Sequence, residues 1–392
     1  GDILFRGELP GKAEYGAKIS LTGGAAGIRG GLPWLRQAGG QVSGKVDVVG
    51  DSEGGLMYSG DLSVVQVIIE ASDAPGGIKD FSGEGSLDVS FRGGGDSALK
   101  YEGTGHIERG NLTALEIAGG IRSLEGPVTG TVGFKGNYKE EPAVDGVIST
   151  SGCAIEIGEI EGFIRSLTGD AQGEIHFLAH GAKLAGYSGE ATIRRGAFVA
   201  DEAFPGLLEA RGLADVDLRF SSSGDGHLAY DGKAKIHSGS ISTEKIYPGL
   251  QNLDGNVTSE FSFRSSDEGV RYEGFANLAS GRVMLKDGIE GFDYLDGDIT
   301  ANLKFQGVGR AAGAFEGDAV ISGGTLKAGQ ILKGIESIEG AARLEAAFSG
   351  GAGIAPAYDG TLIVSDASFS ASDVLDGVKS IVGRAKSTIE FA

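Results

Sequence analysis

A 43-residue repeat runs through the chain and constrains its fold more than any other feature. In the pattern aromatic-x-Gly-x-small-x-apolar, the glycine recurs every 43 residues, apart from one interval of 42. A second glycine series and a phenylalanine series follow at the same intervals. The first glycine series is Gly60, Gly103, Gly146, Gly189, Gly232, Gly274, Gly317 and Gly360, and the second starts at Gly83 and ends at Gly383. Residues 1–392 are therefore predicted to form a single elongated repeat domain of about nine units, with boundaries near 17, 60, 103, 146, 189, 232, 274, 317 and 360.

Each unit contains two extended segments. In the segment that ends at the phenylalanine, apolar residues such as Val257, Phe261 and Phe263 alternate with polar ones. A period of two with one polar face is typical of a half-buried strand. The other segment is interrupted by a recurring glycine, for example Gly239. That glycine indicates a β-bulge or bend within a long strand rather than a tight hairpin.

The connections between segments have their own patterns. In the patches 248–255 and 334–340, apolar residues lie three apart and a glycine follows, which predicts short helical turns at one rim of the sheet. Residues 263–272 contain Asp-Glu-Gly and predict a hairpin that joins one unit to the next. The single deletion within the repeat falls at 265–269, as expected for an exposed turn.

These elements predict an all-β protein in which tandem 43-residue repeats form one long antiparallel sheet of about 18 strands. A sheet of this width must curl or fold over. Because one face is apolar, we expect it to curl toward that face, as an open β-groove or an elongated, solenoid-like rod. The chain starts within one unit and stops at the end of another, so we expect it to be a fragment of a longer chain.

Composition excludes several classes of protein. Glycine accounts for 71 of 392 residues, which argues against a helical protein because glycine destabilises helix interiors. The net charge of −20 would repel phosphate backbones, so we expect no nucleic-acid partner. The single cysteine excludes an intrachain disulfide framework. No apolar run reaches 18 residues, so no membrane span is predicted within this sequence.

The sequence contains no pattern that predicts catalysis or metal binding. His176 and His180 have metal-like numbering, but four residues of a strand span about 13 Å, too far for one zinc ion. Cys153 occurs in one unit only and is interpreted as a buried or neutral thiol. Asp296–Asp298 is interpreted as a turn rather than a calcium site. We therefore predict no catalytic residue, no metal, no cofactor and no enzymatic activity.

The apolar face is the candidate binding surface. It could be a core filled by its own side chains, or a groove with room for lipid. Small inward residues favour the groove because they would leave volume along its axis: Gly44, Gly85, Gly130, Gly173, Ala214 and Ala301. The residues predicted to line it are Phe5, Val46, Val48, Leu87, Val89, Phe91, Val132, Phe134, Ile175, Phe177, Leu218, Phe220, Phe261, Phe263, Leu303, Phe305, Leu344, Phe348, Ile389 and Phe391.

The units resemble the repeats of the AsmA-like superfamily, which includes TamB- and YhdP-type proteins. The resembling stretches include Gly317-Asp-Ala-Val-Ile-Ser-Gly-Gly-Thr-Leu326 and Leu253-Asp-Gly-Asn-Val-Thr-Ser-Glu-Phe-Ser-Phe263. Similar stretches cover nearly the whole chain. The resemblance implies a periplasmic bridge that shields phospholipid or other acyl-chain lipid between inner and outer membranes. It further implies a parent chain anchored in the inner membrane of a Gram-negative bacterium, with envelope proteins at either end. The alternative is a structural β-repeat fibre, adhesin stalk or assembly scaffold without ligand.

Overall fold

A computed structural model gives the fold of the chain. It describes residues 2–7, 13–28, 34–51, 55–74, 77–95, 97–117, 121–137, 140–158, 164–181, 183–201, 207–223, 227–244, 250–289, 292–309, 313–329, 335–351, 354–371 and 381–391. Across these residues the regular structure is entirely β, and 19 strands belong to one sheet. The predicted all-β class and the antiparallel sheet of tandem strands are therefore confirmed, whereas its curl stays a prediction.

The chain divides into two compact units, and most contacts between residues lie within one unit or the other. Unit 1 comprises Gly1–Ile157, Asp170–Thr192 and Arg219–Ala229, and unit 2 comprises Gly158–Gly169, Ile193–Leu218 and Tyr230–Ala392. The first eight strands lie in unit 1, and each pairs antiparallel with the next. Their bounds are β1 Asp2–Gly7, β2 Ala13–Ile28, β3 Leu35–Asp51, β4 Leu56–Ala74, β5 Ile78–Gly94, β6 Ser97–Ile117, β7 Ile121–Asn137 and β8 Ala143–Ile157.

The later strands continue the same pattern. The four strands that contribute residues to both units are β9 Ser166–His180, β10 Lys183–Ala200, β11 Leu207–Ser222 and β12 Leu228–Glu244. Within unit 2, each strand from β12 onward again pairs antiparallel with the next. The remaining strands are β13 Leu250–Arg264, β14 Arg271–Ile289, β15 Phe292–Val308, β16 Ala314–Ala328, β17 Ile335–Gly351, β18 Ile354–Ala371 and β19 Ile381–Phe391.

A β-bulge interrupts the first strand of the repeat in β2, β4, β6, β8, β12, β14, β16 and β18, as the recurring glycine predicted. In β12, the register with β13 shifts between Ile236 and Gly239. Equivalent shifts occur at Gly110, Gly281 and Gly324. The extra residue changes the parity of the alternation halfway along the strand. As a result, the apolar residues before and after the bulge point to the same face.

A second bulge replaces the predicted helical turns. Leu250 and Leu253 lie in β13, where the register with β14 shifts between Leu250 and Asn252. Ile335 and Ile338 lie in β17, beside a shift of the same kind. The helical prediction is wrong for 250–255 and 335–340, while residues 248, 249 and 334 lie outside the described residues. The three-residue apolar spacing arises because the bulge adds one residue between two inward positions. The turn predicted at Asp296–Asp298 is also wrong, since these residues lie inside β15.

The hairpin predicted to join one 43-residue repeat to the next is confirmed at 264–271, within unit 2. Phe263 pairs with Tyr272, and Arg264 pairs with Arg271. Between them, the Ser266 N–H donates to the Gly269 carbonyl, and the Gly269 N–H donates back to Ser266, both at 3.0 Å. The deleted residue of the repeat therefore falls in a tight turn outside the paired strands.

The second glycine series permits close backbone contact at the first bulge. A Cβ on Gly126 would lie 2.8 Å from the Cα of Cys153, closer than real Cβ contacts allow, and its φ is +149°. On Gly255, a Cβ would lie 2.6 Å from the Cα of Gly281, and Gly340 faces Ala367 at the same distance. A side chain at these positions would push the two strands apart.

We predict different effects for two neighbouring alanine substitutions in unit 1. Gly126→Ala should lower the free energy of unfolding by about 2 kcal/mol, because the methyl group overpacks the bulge. Gly152 faces Gly126 across the bulge, but no heavy atom lies within 4 Å of the position that an added Cβ would take there. Gly152→Ala should therefore leave stability unchanged or raise it by at most about 1 kcal/mol. Urea unfolding curves of the two variants test this, and equal destabilisation would contradict the contact.

Candidate functional site: the apolar face and its aromatic ladder

The predicted lining residues occupy one face of their strands. In β5, Val89 and Phe91 are half-buried, whereas Asp88, Ser90 and Arg92 between and beside them are exposed. Leu344 is buried, and Ile175 is 36% exposed. Phe5 and Phe391 pair through their backbones with Tyr15 and Gly360, and their side chains lie outside the description. The other predicted residues are half-buried: Val46, Val48, Leu87, Val132, Phe134, Phe177, Leu218, Phe220, Phe261, Phe263, Leu303, Phe305, Phe348 and Ile389.

Phenylalanine and the first glycine series form one recurring cross-strand contact. Phe263 pairs with Gly232, and a Cβ added to Gly232 would lie 2.7 Å from the Cζ of that ring. Phe134 covers Gly103 in the same way in unit 1. The glycine leaves room for the ring of the neighbouring strand, an arrangement that protects an otherwise bare strand position. The first glycine series and the phenylalanine series are thus the two sides of one interaction.

Aromatic rings line one part of the apolar face, and we call them the aromatic ladder. Centroids of diagonal Tyr–Phe or Phe–Phe neighbours are 6.2–6.5 Å apart with tilted planes, which is a favourable aromatic geometry. The rings are half-buried, so each keeps an accessible edge or face. The ladder comprises Tyr58, Phe91, Tyr101, Phe134, Tyr187 and Phe220 in unit 1, and Tyr230, Phe261, Phe263, Tyr272, Phe305, Phe315 and Phe348 in unit 2.

The small inward residues do not leave the free volume that the sequence suggested. A Cβ on Gly173 would lie 3.0 Å from the Cα of Ala191, and one on Gly130 would lie 3.2 Å from the Cα of Ile148. The next strand's backbone therefore occupies the space beside these glycines. The same applies to Gly44 and Gly85, with Leu62 and Ile107 as their neighbours. Ala214 is buried, and Ala301 is half-buried.

Equivalent apolar positions differ in exposure between the two units. Leu21, just before the bulge of β2, is 39% exposed. Val64 and Ile107, at the same position of the next two repeats, are half-buried. In unit 2 the equivalent Ile321 and Val364 are 3% and 0% exposed. At this position the apolar face is thus more accessible in β2, β4 and β6 than in β16 and β18, whereas Ile236 of β12 is half-buried.

The apolar face offers hydrocarbon contact and no charge. Among the described residues, its rows between the aromatic ladder and the second glycine series contain no Asp, Glu, Lys or Arg. The charged side chains lie on the opposite face, where they form exposed ion pairs. Examples are Lys304 with Glu316 at 3.0 Å and Lys327 with Glu339 at 3.2 Å. Such a face suits an apolar ligand, because nothing on it compensates the desolvation of an ionic group.

One cluster of charged residues was not found by sequence reasoning. The Asp215 carboxylate accepts the backbone N–H of Arg195 at 2.7 Å, and His237 Nε2 lies 2.9 Å from it. The hydrogen bond from the Arg195 N–H is the main cause that lowers the pKa of Asp215, and the hydrogen bond from His237 is the second. Arg195 has a φ of +51°, so the carboxylate caps a strained bulge residue. The sequence offered no specific signal for this cluster, because non-glycine residues such as Ser238 and Ser280 precede the bulge glycine in other repeats as well.

The other polar candidates have structural surroundings. His176 is exposed, and its Nε2 lies 2.8 Å from Glu174 on the same face. The Cys153 thiol is buried. Its sulfur accepts a hydrogen bond from the Thr150 hydroxyl at 2.8 Å, and the thiol donates to the Pro127 carbonyl at 3.5 Å. No group of three metal-binding side chains occurs among the residues that the structure describes. The interpretation of Cys153 as a buried thiol is confirmed.

Comparison with known proteins identified no relative of this chain. No family, no curated protein and no solved structure matches it. Within the described ranges, no helix has the length and hydropathy needed to cross a membrane. The resemblance to AsmA-like repeats therefore stays a prediction.

We predict that Asp215 contributes stability that depends on pH. Its folded-state pKa is lowered, so this contribution is present above the unfolded-state pKa of about 3.9 and disappears as the pH falls through the folded-state value. Urea unfolding should show Asp215→Asn less stable than the unsubstituted protein at pH 6, with the difference shrinking below about pH 4. Asp217→Asn is the control, because the Asp217 carboxylate forms an exposed ion pair with Arg194 at 2.8 Å and its loss should change stability little. A difference for Asp215→Asn that persists unchanged at pH 2 would contradict the assignment.

Proposed function

We propose that the apolar face binds the acyl chains of phospholipid or a similar lipid. In this proposal the chain is one segment of a lipid-transfer bridge between inner and outer membranes. The observation that supports it is the charge-free apolar face with its half-exposed aromatic ladder. The periplasmic location, the membrane-anchored parent chain and the envelope partners at its ends follow from the resemblance to AsmA-like repeats.

Hydrocarbon binding to this face has a clear driving force. Each methylene group removed from water contributes about 0.8 kcal/mol. The half-buried rings still expose apolar surface that a ligand could cover. The rings lie close to the sheet because the residues beneath them are glycines. Because the repeat presents the same types of side chain at each unit, an acyl chain could move from one unit to the next without a change in the kind of contact. Transfer, rather than storage at one site, is the function that such uniformity favours.

A structural scaffold is the second candidate. The observation that favours it is the core of unit 2, where Leu326, Leu362 and Val364 are fully buried. Side chains from β14 to β18 form this cluster, so this part of the apolar face is already filled. A face that is filled along its whole length would need no ligand.

The two candidates can be separated in β9 of unit 1. Ile175→Glu places a carboxylate on the apolar face at a residue that is 36% exposed, so the charge can reach water and the sheet should fold. Leu178→Glu is the matched control, because Leu178 lies on the polar face of the same strand and is 45% exposed. We expect Ile175→Glu to lose most of its binding of a phosphatidylcholine labelled in its acyl chain, whereas Leu178→Glu binds as the unsubstituted protein does.

Fluorescence titration with the labelled lipid measures binding, and thermal melts confirm that both variants are folded. Extraction of the purified protein followed by mass spectrometry measures lipid that co-purifies. Ile175→Glu that binds like Leu178→Glu would exclude this face as the binding site. A protein that binds no lipid in any form would favour the scaffold.

A further inference from the structure

The polar face of unit 2 contains an exposed aromatic residue that breaks the repeat. Phe275 is 54% exposed and is the only aromatic residue among the large exposed hydrophobic side chains of the described chain. It follows the first-series glycine, on the face opposite the aromatic ladder. The equivalent residues of other units are Asp61, Thr104, Val147, Glu190, Lys233, Asp318 and Thr361. The sheet does not need an aromatic side chain here, so Phe275 calls for another explanation.

Phe275 lies at one end of a trough on this face. The trough has a volume of about 780 Å³ and crosses five strands, from β14 to β18. Its side chains form two rows on the polar face, one through Phe275, Lys304 and Glu316 and the other through Asn302 and Asp318. The residues between these rows, such as Leu303, alternate with them and belong to the apolar face. The far end is open because small residues line it, including Ala347 and Ala357. The trough therefore extends across the strands from the Phe275 ring to an open end at Ala347 and Ala357.

Polar side chains along the trough are held in a hydrogen-bonded row. Asn277 Nδ2 donates to Asn302 Oδ1 at 2.6 Å, and Asn302 Nδ2 donates to Asp318 Oδ2 at 3.0 Å. Lys304 pairs with Glu316 beside this row at 3.0 Å. These interactions fix amide and carboxylate groups that can both donate and accept further hydrogen bonds. An ordered set of donors and acceptors loses little entropy when it binds a ligand.

The charges of the trough restrict its ligand. Among the described residues that line it, Lys304 is the only cation, against three carboxylates, Glu316, Asp318 and Asp359. An acidic lining repels phosphate and other anions. An aromatic face combined with amide and carboxylate groups instead suits a ring with an apolar face and a rim of hydroxyl groups. We propose that this trough binds an uncharged oligosaccharide, with a sugar ring stacked on Phe275 and neighbouring hydroxyl groups bonded to Asn302 and Asp318.

This site is independent of the proposed lipid function. It lies on the opposite face of the sheet, and its ligand is hydrophilic. Loss of sugar binding would therefore leave lipid binding unchanged, and failure of one proposal would not decide the other.

Calorimetric titration with maltohexaose, cellohexaose and chitohexaose tests the proposal. We expect at least one of these sugars to bind, and Phe275→Ala to raise its Kd by about tenfold or more, the effect typical of a lost stacking platform. Asn302→Ala should weaken the same sugar. Leu208→Ala is the matched control, because Leu208 is an apolar residue of unit 2 that is equally exposed and lies outside the trough. Its Kd should stay unchanged.

Three results would overturn the proposal. The first is that none of the sugars binds at millimolar concentration. The second is binding that Phe275→Ala and Asn302→Ala leave unchanged while circular dichroism shows both variants folded. The third is binding of hexalysine that depends on Phe275 in the absence of sugar binding, which would identify the trough as a site for a cationic peptide.

Discussion

The close backbone contact at the first bulge of each repeat sets the geometry on which the other features depend. The bulge adds one residue to one strand only, which changes its side-chain parity and keeps the apolar rows on one face. The contact requires a partner without a side chain, and the second glycine series supplies it, as Gly126 does opposite Cys153. Glycine therefore serves here to bring backbones together. The high glycine content reflects strand pairing and not flexibility.

The resulting apolar face has a buried part and a partly accessible part. Its residues beyond the bulge are mostly buried, for example Ala71 and Ala114 in unit 1 and Leu326 in unit 2. Its aromatic half stays partly accessible, since the rings rest on glycine positions and leave their outer surfaces uncovered. The buried half accounts for stability, and the accessible half is available to a ligand. The lipid proposal therefore concerns the aromatic ladder and the early strands, where Ile19 and Leu21 are exposed.

Local periodicity was enough to predict the strands, the first bulge, the hairpin at 266–269 and the alternation of the half-buried phenylalanines from Phe91 to Phe348 with mostly exposed neighbours. It failed where two structures share one spacing. Apolar residues three apart, as in Leu250 and Leu253, fit one helical turn and also a bulged strand, and only pairing with β14 decides between them. The packing beside Gly173 was equally hidden, because a small residue leaves space only if no neighbouring backbone enters it. Phe275 was visible in the sequence as a departure from the repeat, but the trough beside it depends on five strands.

The hairpin at Ser266–Gly269 has a consequence for how such a chain can change its length over evolution. One residue is missing from the repeat at this place, and the paired registers on both sides of it are intact. A loss of one residue inside a strand would instead move every later side chain to the wrong face. A change of one residue is therefore accommodated in a turn, whereas within a paired strand it needs a bulge such as the one between Ile236 and Gly239. Duplication of one unit adds two strands with their own glycine and phenylalanine, so the protein can lengthen in fixed steps while each local contact is preserved.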